Sequence, residues 1–389
     1  MAEDRRCDGE KVRDVTLKEE LEILRGEPIE VFDGDPMDIP CIETSDAEKL
    51  CRHPVVSVHM ITYNHEPYIR QAIEGVMMQQ TDFEFELVIG EDASQDKTRE
   101  ICFEYQKKYP DKIRVLWWHE NVSKFGGNDR RVTARCRGEF IAFCEGDDFW
   151  TDPLKLQKQV DVMLMQPHVG LCFTGASLFR QSDRCFIDWN CMHVADGEMA
   201  GEDFLKALCF GKQEGGHGFE LAVFTATTLC RSRYLSDAIR GFDVFKWSIP
   251  IGDTQIWAAL ASVSDVYYVN DTTAVYRIHS GGICSYNHLN VVMAGFIVRF
   301  YFAVKGLGFS YNDTVKKMSS IYFDTYTRAV SNMERARQRQ ISKQFFKSPK
   351  RRRMWGICRR FPLYLLLRMG LCRSRFYVWW KIAERCFSL

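Results

Sequence analysis

The chain has 389 residues, of which 46% are hydrophobic and 27% are charged, so its composition excludes a disordered or fibrous protein and allows a sizeable core. The formal net charge of zero hides an uneven distribution, because residues 1–50 carry 16 acidic and 7 basic side chains while residues 346–389 carry 12 basic and 1 acidic. The sequence therefore has an acidic head and a basic tail.

No stretch near the start is typical of a secretory signal, and no run of about 18 apolar residues predicts a membrane-spanning helix. The 15 cysteines are then expected to be reduced thiols in a cytoplasmic protein. No two of them have Cys-x-x-Cys spacing, which disfavours a structural zinc site.

Strands and helices alternate from residue 55 onward. Short apolar runs predict strands and a 3.6-residue spacing of apolar side chains predicts helices. The predicted strands are 55–61, 85–90, 113–118, 139–144 and 170–173, and the helices between them are 68–77, 97–109, 128–137 and 154–165. This alternation predicts an α/β fold with a mostly parallel central sheet flanked by helices.

The pattern is weaker after residue 180, where we predict a helix at 254–261, strands at 266–269 and 274–276, and mostly helix at 288–340. We divide the chain into four parts. They are an acidic N-terminal extension (1–53), an α/β domain (54–285), a helical extension (286–345) and a basic, aromatic-rich tail (346–389).

Three polar turns, residues 62–66, 91–96 and 145–148, follow the predicted strands. Ligands of such sheets bind beyond the carboxyl ends of the strands. The third turn, Glu145-Gly146-Asp147-Asp148, holds three carboxylates in four residues. Mg²⁺ and Mn²⁺ prefer such oxygen ligands, and a glycine lets a ligand approach the backbone. At this position we favour a metal site over a solvated acidic turn.

The other two turns suggest nucleotide contacts. Asp92 can accept hydrogen bonds from a ribose or a base edge, although it could also cap a helix, a role that suits Ser94 or Asp96 better. The first turn has no Gly-x-Gly-x-x-Gly pattern, which disfavours a nicotinamide-cofactor site. Tyr63 could stack on a base or simply contribute to packing.

Four segments together resemble family 2 glycosyltransferases, in particular bacterial members that act on surface polysaccharides. They are VVSVHMITYNHEPYIRQAIEGVMMQQ, ELVIGEDASQDKTREI, GEFIAFCEGDDFWTDPLKLQKQV and AVYRIHSGGICS. The resemblance covers about residues 54–285 and implies the GT-A nucleotide-diphospho-sugar transferase fold. It also implies inverting transfer of a sugar from a nucleotide-diphosphate sugar to a hydroxyl of a saccharide or lipid-linked acceptor.

The same resemblance implies roles for individual residues. Glu145-Gly146-Asp147 falls on the family's D-x-D motif with Glu in place of the first Asp, so Asp147 is the best ligand for Mn²⁺ or Mg²⁺, with Glu145 and Asp148 beside it. The implied donor-binding residues are Thr62, Tyr63, Asn64, Glu91, Asp92, Asp147, Arg277 and His279. Tyr63 and Asp92 fall at the nucleoside, and Arg277 and His279 near the pyrophosphate.

Asp253 falls where the family places its general base. Inversion needs one carboxylate to take the proton of the acceptor hydroxyl. Asp253 could instead cap the helix 254–261, and the two roles are compatible. If Asp253 is only a cap, the alternative bases are Glu214, Glu220 and Asp243.

Two other functions stay open. A nucleotidyltransferase should show a glycine-rich, Arg/Lys-bearing first turn, which this chain lacks. A sugar- or lipid-binding scaffold that has lost turnover is disfavoured by the presence of both Asp147 and Asp253. Donor hydrolysis would separate an enzyme from a scaffold.

The tail at 346–389 mixes arginines with Trp, Phe, Tyr and Leu. Basic side chains attract anionic lipids and aromatic rings favour the membrane interface. We therefore expect a peripheral contact with the inner face of the membrane, while packing on the catalytic domain and binding to nucleic acid are alternatives. Of these we favour the membrane contact and expect no nucleic-acid partner.

Overall fold

The computed structural model describes residues 40–122, 127–187, 196–211, 223–242, 245, 253–282, 288–310, 313–314 and 317–318. All of them belong to one compact unit, Glu30–Asn332. Much of the predicted helical extension and all of the basic tail lie outside these residues, as does most of the acidic extension.

In the described residues, eleven strands form one sheet. Their bounds are β1 Ile42–Thr44, β2 Val56–Thr62, β3 Phe85–Glu91, β4 Ile113–Trp117, β5 Phe140–Phe143, β6 Phe149–Trp150, β7 Val169–Arg180, β8 Cys185–Ile187, β9 Gly197–Met199, β10 Thr228–Arg231 and β11 Asp265–Ile278. Along the sheet the order is β1-β4-β3-β2-β5-β10-β7-β11-β6, with β8 paired to β7 and β9 to β11.

Eight helices can be bounded in the same residues. They are α1 Ile69–Met77, α2 Thr98–Lys108, α3 Gly127–Arg135, α4 Lys155–Met165, α5 Gly201–Phe210, α6 Ser232–Gly241, α7 Asp253–Ala261 and α8 His288–Lys305. In this part of the chain no helix is both long and apolar enough to cross a membrane. The first four helices alternate with strands as the apolar spacing predicts.

The strands β4, β3, β2 and β5 are parallel neighbours and form one half of the sheet. Every residue of β3 and β5 is buried, because helices cover both faces. Thr62 at the end of β2 pairs with Glu91 at the end of β3. This register brings the first two polar turns side by side at the carboxyl edge.

The other half of the sheet is mixed. β10 lies antiparallel between β5 and β7, and β7 pairs in parallel with β11. The two predicted strands at 266–269 and 274–276 are one strand, β11, which continues through the exposed residues 270–272 with register shifts. Such bulges absorb the polar Asn-Asp-Thr segment that suggested a break. The predicted α/β class is confirmed.

The first helix of the predicted helical extension, α8, packs on the α/β domain. The ring of Phe302 lies 4.9 Å from that of Phe242, just after α6. Phe300 and Phe302 are fully buried, although the rest of the extension contributes few described residues. α8 therefore shares the core of the domain.

Candidate active site

The first two polar turns hold each other in place. The Asn64 backbone N–H donates to Ser94 Oγ at 2.9 Å, and the Gln95 N–H donates back to Asn64 Oδ1 at 2.8 Å. Asn64 and Ala93 both have positive φ, 56° and 60°, a conformation that asparagine tolerates and alanine rarely adopts. The reciprocal bonds make these two turns one rigid rim at the edge of the sheet.

The residues predicted to hold the donor nucleoside differ in exposure. Tyr63 is 38% exposed on the rim, so its ring is open to a ligand. Glu91 is buried and accepts hydrogen bonds from the Ser94 N–H and the Arg99 guanidinium. Asp92 is also buried, and its Oδ1 accepts the Val122 N–H at 2.7 Å. Their contacts with a nucleoside stay a prediction.

The third turn is fastened to the end of β2. The Gly146 N–H donates to the Ile61 carbonyl at 2.9 Å. A Cβ on Gly146 would lie 2.6 Å from Thr62 Oγ1 and 3.0 Å from Ile69 Cδ1. The glycine is therefore required by protein packing, whereas the sequence suggested that it admits a ligand. Thr62, predicted to touch the donor, is the side chain that fills this space.

Replacing Gly146 with alanine is expected to displace the acidic turn and to lower the free energy of unfolding by about 1–3 kcal/mol, the usual cost of overpacking. The matched control is Gly241→Ala, because a Cβ at Gly241 meets nothing within 4 Å. Chemical denaturation of both variants measures the difference. Equal stabilities would mean that the turn relaxes without cost.

Asp147 lies between two imidazoles. His279 Nε2 is 3.0 Å from Asp147 Oδ2, and His65 Nε2 is 3.6 Å from the same oxygen. Burial opposes ionisation of Asp147, but the hydrogen bond from His279 and the charges of His65 and His279 outweigh it, so its pKa is lowered. Asp147 is therefore an ionised carboxylate held in a fixed position.

Glu145 is the more unusual carboxylate of the turn. Burial, followed by the charge of Asp147, raises the pKa of Glu145 to about 8. Its Oε2 is buried and has no hydrogen-bond partner. An acceptor without a donor beside an ionised carboxylate suits a divalent cation, which would satisfy both. Glu145 and Asp147 are thus the two residues whose chemistry fits the predicted Mn²⁺ or Mg²⁺.

Asp148 and Arg277 face inward and bind each other. Asp148 is 3% exposed, and its Oδ1 accepts the Arg277 backbone N–H at 2.8 Å. Burial and the neighbouring charges of Asp147 and Glu145 raise the pKa of Asp148 well above its ordinary value. As the structure stands, this carboxyl anchors β11 to the turn, and its role as a metal ligand stays a prediction.

The Arg277 guanidinium is also engaged within the protein. Nε donates to the Asp147 carbonyl at 2.7 Å, while its terminal nitrogens donate to Gln181 and Gln71, each at 2.7 Å. The side chain stacks against three aromatic rings, Tyr68, Phe149 and Phe179. Arg277 thereby fixes the backbone of the acidic turn, and its predicted contact with the donor pyrophosphate stays a prediction.

Asp253 is the first residue of α7 and is partly buried. Its Oδ1 accepts the Thr254 N–H at 2.5 Å. Burial raises the pKa of Asp253, and the charge of Asp129 adds to the effect. The Asp253 charge in turn contributes to the raised pKa of Glu145. The alternative bases Glu214, Glu220 and Asp243 lie outside the described residues.

The sequence analysis did not identify two residues that influence these carboxylates. His65 lies in the first polar turn beside Tyr63 and Asn64, and its buried Nδ1 has no partner. Its position in that turn was the available signal. Asp129, on α3, pairs with His59 at 3.3 Å, and no pattern in the sequence pointed to it.

Comparison with known proteins identifies the family that part of this chain resembles. Residues 57–191 match the family model "Glycosyl transferase family 2". An uncharacterized protein of Mycobacterium tuberculosis is 43% identical over 118 residues, which cover 30% of this chain and 34% of that protein. TuaG of Bacillus subtilis, named for glycosyl transfer in teichuronic acid biosynthesis, is 34% identical over 128 residues, 33% of this chain and 49% of TuaG.

The chain thus spans from about a third to about half the length of these two relatives. Among solved structures, S. aureus TarS in complex with UDP-GlcNAc superposes with a TM-score of 0.56, covering 82% of this chain and 88% of that one. At 15% identity this likeness shows the fold alone, which is GT-A. Residues 57–191 therefore resemble a family 2 glycosyltransferase domain, and the fold is GT-A.

Proposed function

We propose that the protein is a metal-dependent, inverting glycosyltransferase that moves a sugar from a nucleotide-diphosphate sugar to a hydroxyl of a saccharide or lipid-linked acceptor, in surface polysaccharide synthesis. One observation carries the proposal: at the carboxyl edge of the sheet the ionised Asp147 lies in the same turn as Glu145, whose buried Oε2 has no hydrogen-bond partner, and the charge of Asp253 acts on Glu145. The UDP-GlcNAc bound to TarS and the name of TuaG support this class of donor and product.

Asp147 and Glu145 would hold the divalent cation. When bound, such a cation neutralises the charge that develops on the departing diphosphate. His65 and His279 keep Asp147 in its ionised form and in one position, so the carboxylate needs no reorganisation when the donor arrives. The stacked Arg277 keeps the backbone of the turn in place.

Asp253 would take the proton of the acceptor hydroxyl. Its raised pKa makes the ionised carboxylate a stronger base than an exposed aspartate. The proton passes to Asp253 while the acceptor oxygen bonds to the anomeric carbon and the bond from that carbon to the diphosphate breaks on the opposite face. A single displacement of this kind inverts the anomeric carbon.

A thermal-shift series tests donor binding directly. Nucleoside diphosphates with different bases are added to the full chain with Mn²⁺, with Mg²⁺ or with a chelator. A ligand that binds only the folded state raises the melting temperature by mass action. We expect at least one nucleoside diphosphate to do so only when the cation is present. Equal shifts in the chelator would contradict metal-dependent binding.

The basic tail suggests where the reaction takes place. Residues 346–389 carry 12 basic and 1 acidic side chain, and each basic group near an anionic surface contributes about 1 kcal/mol of attraction. Truncation after Ser348 should release the protein from anionic liposomes while keeping activity on a soluble acceptor. Liposome sedimentation measures this, with neutral liposomes as the control. Unchanged binding of the truncated protein would contradict the proposed contact.

A further inference from the structure

A second group of ligating side chains lies at the opposite edge of the sheet. His168 precedes β7, Glu198 lies in β9, and Asp265 begins β11. The acidic turn meets β11 at its other end, through Arg277 and His279. The two clusters are therefore separated by most of the length of β11, and nothing in the proposed transfer reaction uses this one.

The three side chains converge on a small volume. His168 Nε2 is 3.0 Å from Glu198 Oε2 and 3.9 Å from Asp265 Oδ2. One ligand atom from each residue lies within 4.8 Å of the other two. His168 and Glu198 are exposed and Asp265 is partly buried, so an ion has access from solvent.

Rigid backbone carries each of the three groups. The Asp265 N–H donates to the His168 carbonyl at 3.3 Å, and Glu198 is paired with Tyr267 of β11. Asp265 Oδ1 accepts the Gly201 N–H at 2.9 Å, which turns Oδ2 toward the imidazole. The preceding Pro167 carbonyl accepts a hydrogen bond from Arg233 at 3.0 Å. Outer contacts of this type orient the ligands of metal sites in proteins.

We propose that His168, Glu198 and Asp265 form a binding site for Zn²⁺ or a similar transition-metal ion, distinct from the Mn²⁺ or Mg²⁺ site of the acidic turn. An imidazole nitrogen with two carboxylate oxygens suits Zn²⁺, whereas Mg²⁺ prefers oxygen ligands alone. Three protein ligands leave a fourth position for water. The ion would join β7, β9 and β11, three strands from distant parts of the chain.

Equilibrium dialysis of the full chain against Zn²⁺, with a histidine-free affinity tag, tests the site. His168→Ala and Glu198→Gln should each raise the dissociation constant at least about 100-fold, because the first removes a direct ligand and the second removes the negative charge of another. Asp265→Asn should disturb the local backbone least, because asparagine keeps the oxygen that accepts the Gly201 N–H. The matched control is His53→Ala, which removes an exposed imidazole elsewhere.

Asp147→Asn separates the two sites, since it alters the acidic turn and leaves this cluster intact. We expect the Zn²⁺ binding that is lost in His168→Ala to persist in Asp147→Asn and in His53→Ala. Zn²⁺ should also raise the melting temperature of wild type more than that of His168→Ala. If wild type shows no saturable Zn²⁺ binding, or if His168→Ala and Glu198→Gln bind as wild type does, the cluster is only an ion pair.

Discussion

Asp147→Asn is expected to abolish cation-dependent donor binding and to lower transfer by at least about 10²-fold, the effect of removing one group that stabilises developing charge. Asparagine has nearly the same shape, and its Oδ1 can still accept a hydrogen bond from His279, which lies 3.0 Å from Asp147 Oδ2. The fold should therefore survive. The substitution removes the negative charge of Asp147. Burial disfavours this charge, and His65 and His279 favour it.

The control for this variant is Asp183→Asn, which alters an exposed carboxylate that forms an ion pair with Arg180. Its donor binding should match that of wild type. Calorimetric titration with a nucleoside diphosphate, with and without Mn²⁺, gives the affinities. If Asp147→Asn keeps the wild-type response to Mn²⁺, the assignment of Asp147 as a metal ligand is wrong.

Asp253→Asn is expected to lower transfer by about 10²–10⁴-fold, the usual contribution of a general base, with donor binding and melting temperature nearly unchanged. Asparagine keeps the oxygen that accepts the Thr254 N–H, so the start of α7 is preserved. This outcome separates the base from the metal ligand, because Asp147→Asn should lose donor binding as well.

The pH profile supplies a further test of Asp253. A base works only in its deprotonated form, so transfer should rise with pH through the raised pKa of Asp253, above the range of an ordinary aspartate. The residual rate of Asp253→Asn should lack that rise. Asp237→Asn, which alters an exposed carboxylate on α6, serves as the control. If Asp253→Asn shows near-normal transfer, Asp253 is only a helix cap and not the general base.

The parallel half of the sheet could be predicted from the sequence because its signals are local. Each strand is a short apolar run and each helix repeats its apolar side chains at 3.6-residue spacing. Since parallel strands end at one edge, the meeting of turns 62–66, 91–96 and 145–148 followed as well. In the structure Thr62 pairs with Glu91, so the first two of these turns begin side by side.

The other half depends on contacts between distant parts of the chain. β10 enters between β5 and β7 in the antiparallel sense, and four residues of sequence do not specify those partners. The pairing of β11 with β6, at Ala274 with Trp150 and Val275 with Phe149, brings Arg277 to the acidic turn. The sequence alone indicated the family position of Arg277 but not its engagement with Gln71 and Gln181.

The electrostatics of the site show the same division. Three carboxylates in one turn predicted a place for a positive charge. Their different states depend on neighbours that the sequence does not place: His65 and His279 hold Asp147 ionised, burial raises the pKa of Glu145, and Asp148 turns inward to β11. Which carboxylates are suited to a metal therefore required the structure.

The central claim is that Glu145 and Asp147 hold the cation that binds a nucleotide-diphosphate sugar and that Asp253 is the base for its transfer. Its most direct test is release of nucleoside diphosphate from a panel of such donors by the purified full chain with Mn²⁺. We predict release from at least one donor, dependence on the cation, loss in Asp147→Asn and a strong decrease in Asp253→Asn, with Asp183→Asn unchanged. Release that persists equally in both active-site variants, or no release from any donor by folded wild type, would contradict the claim.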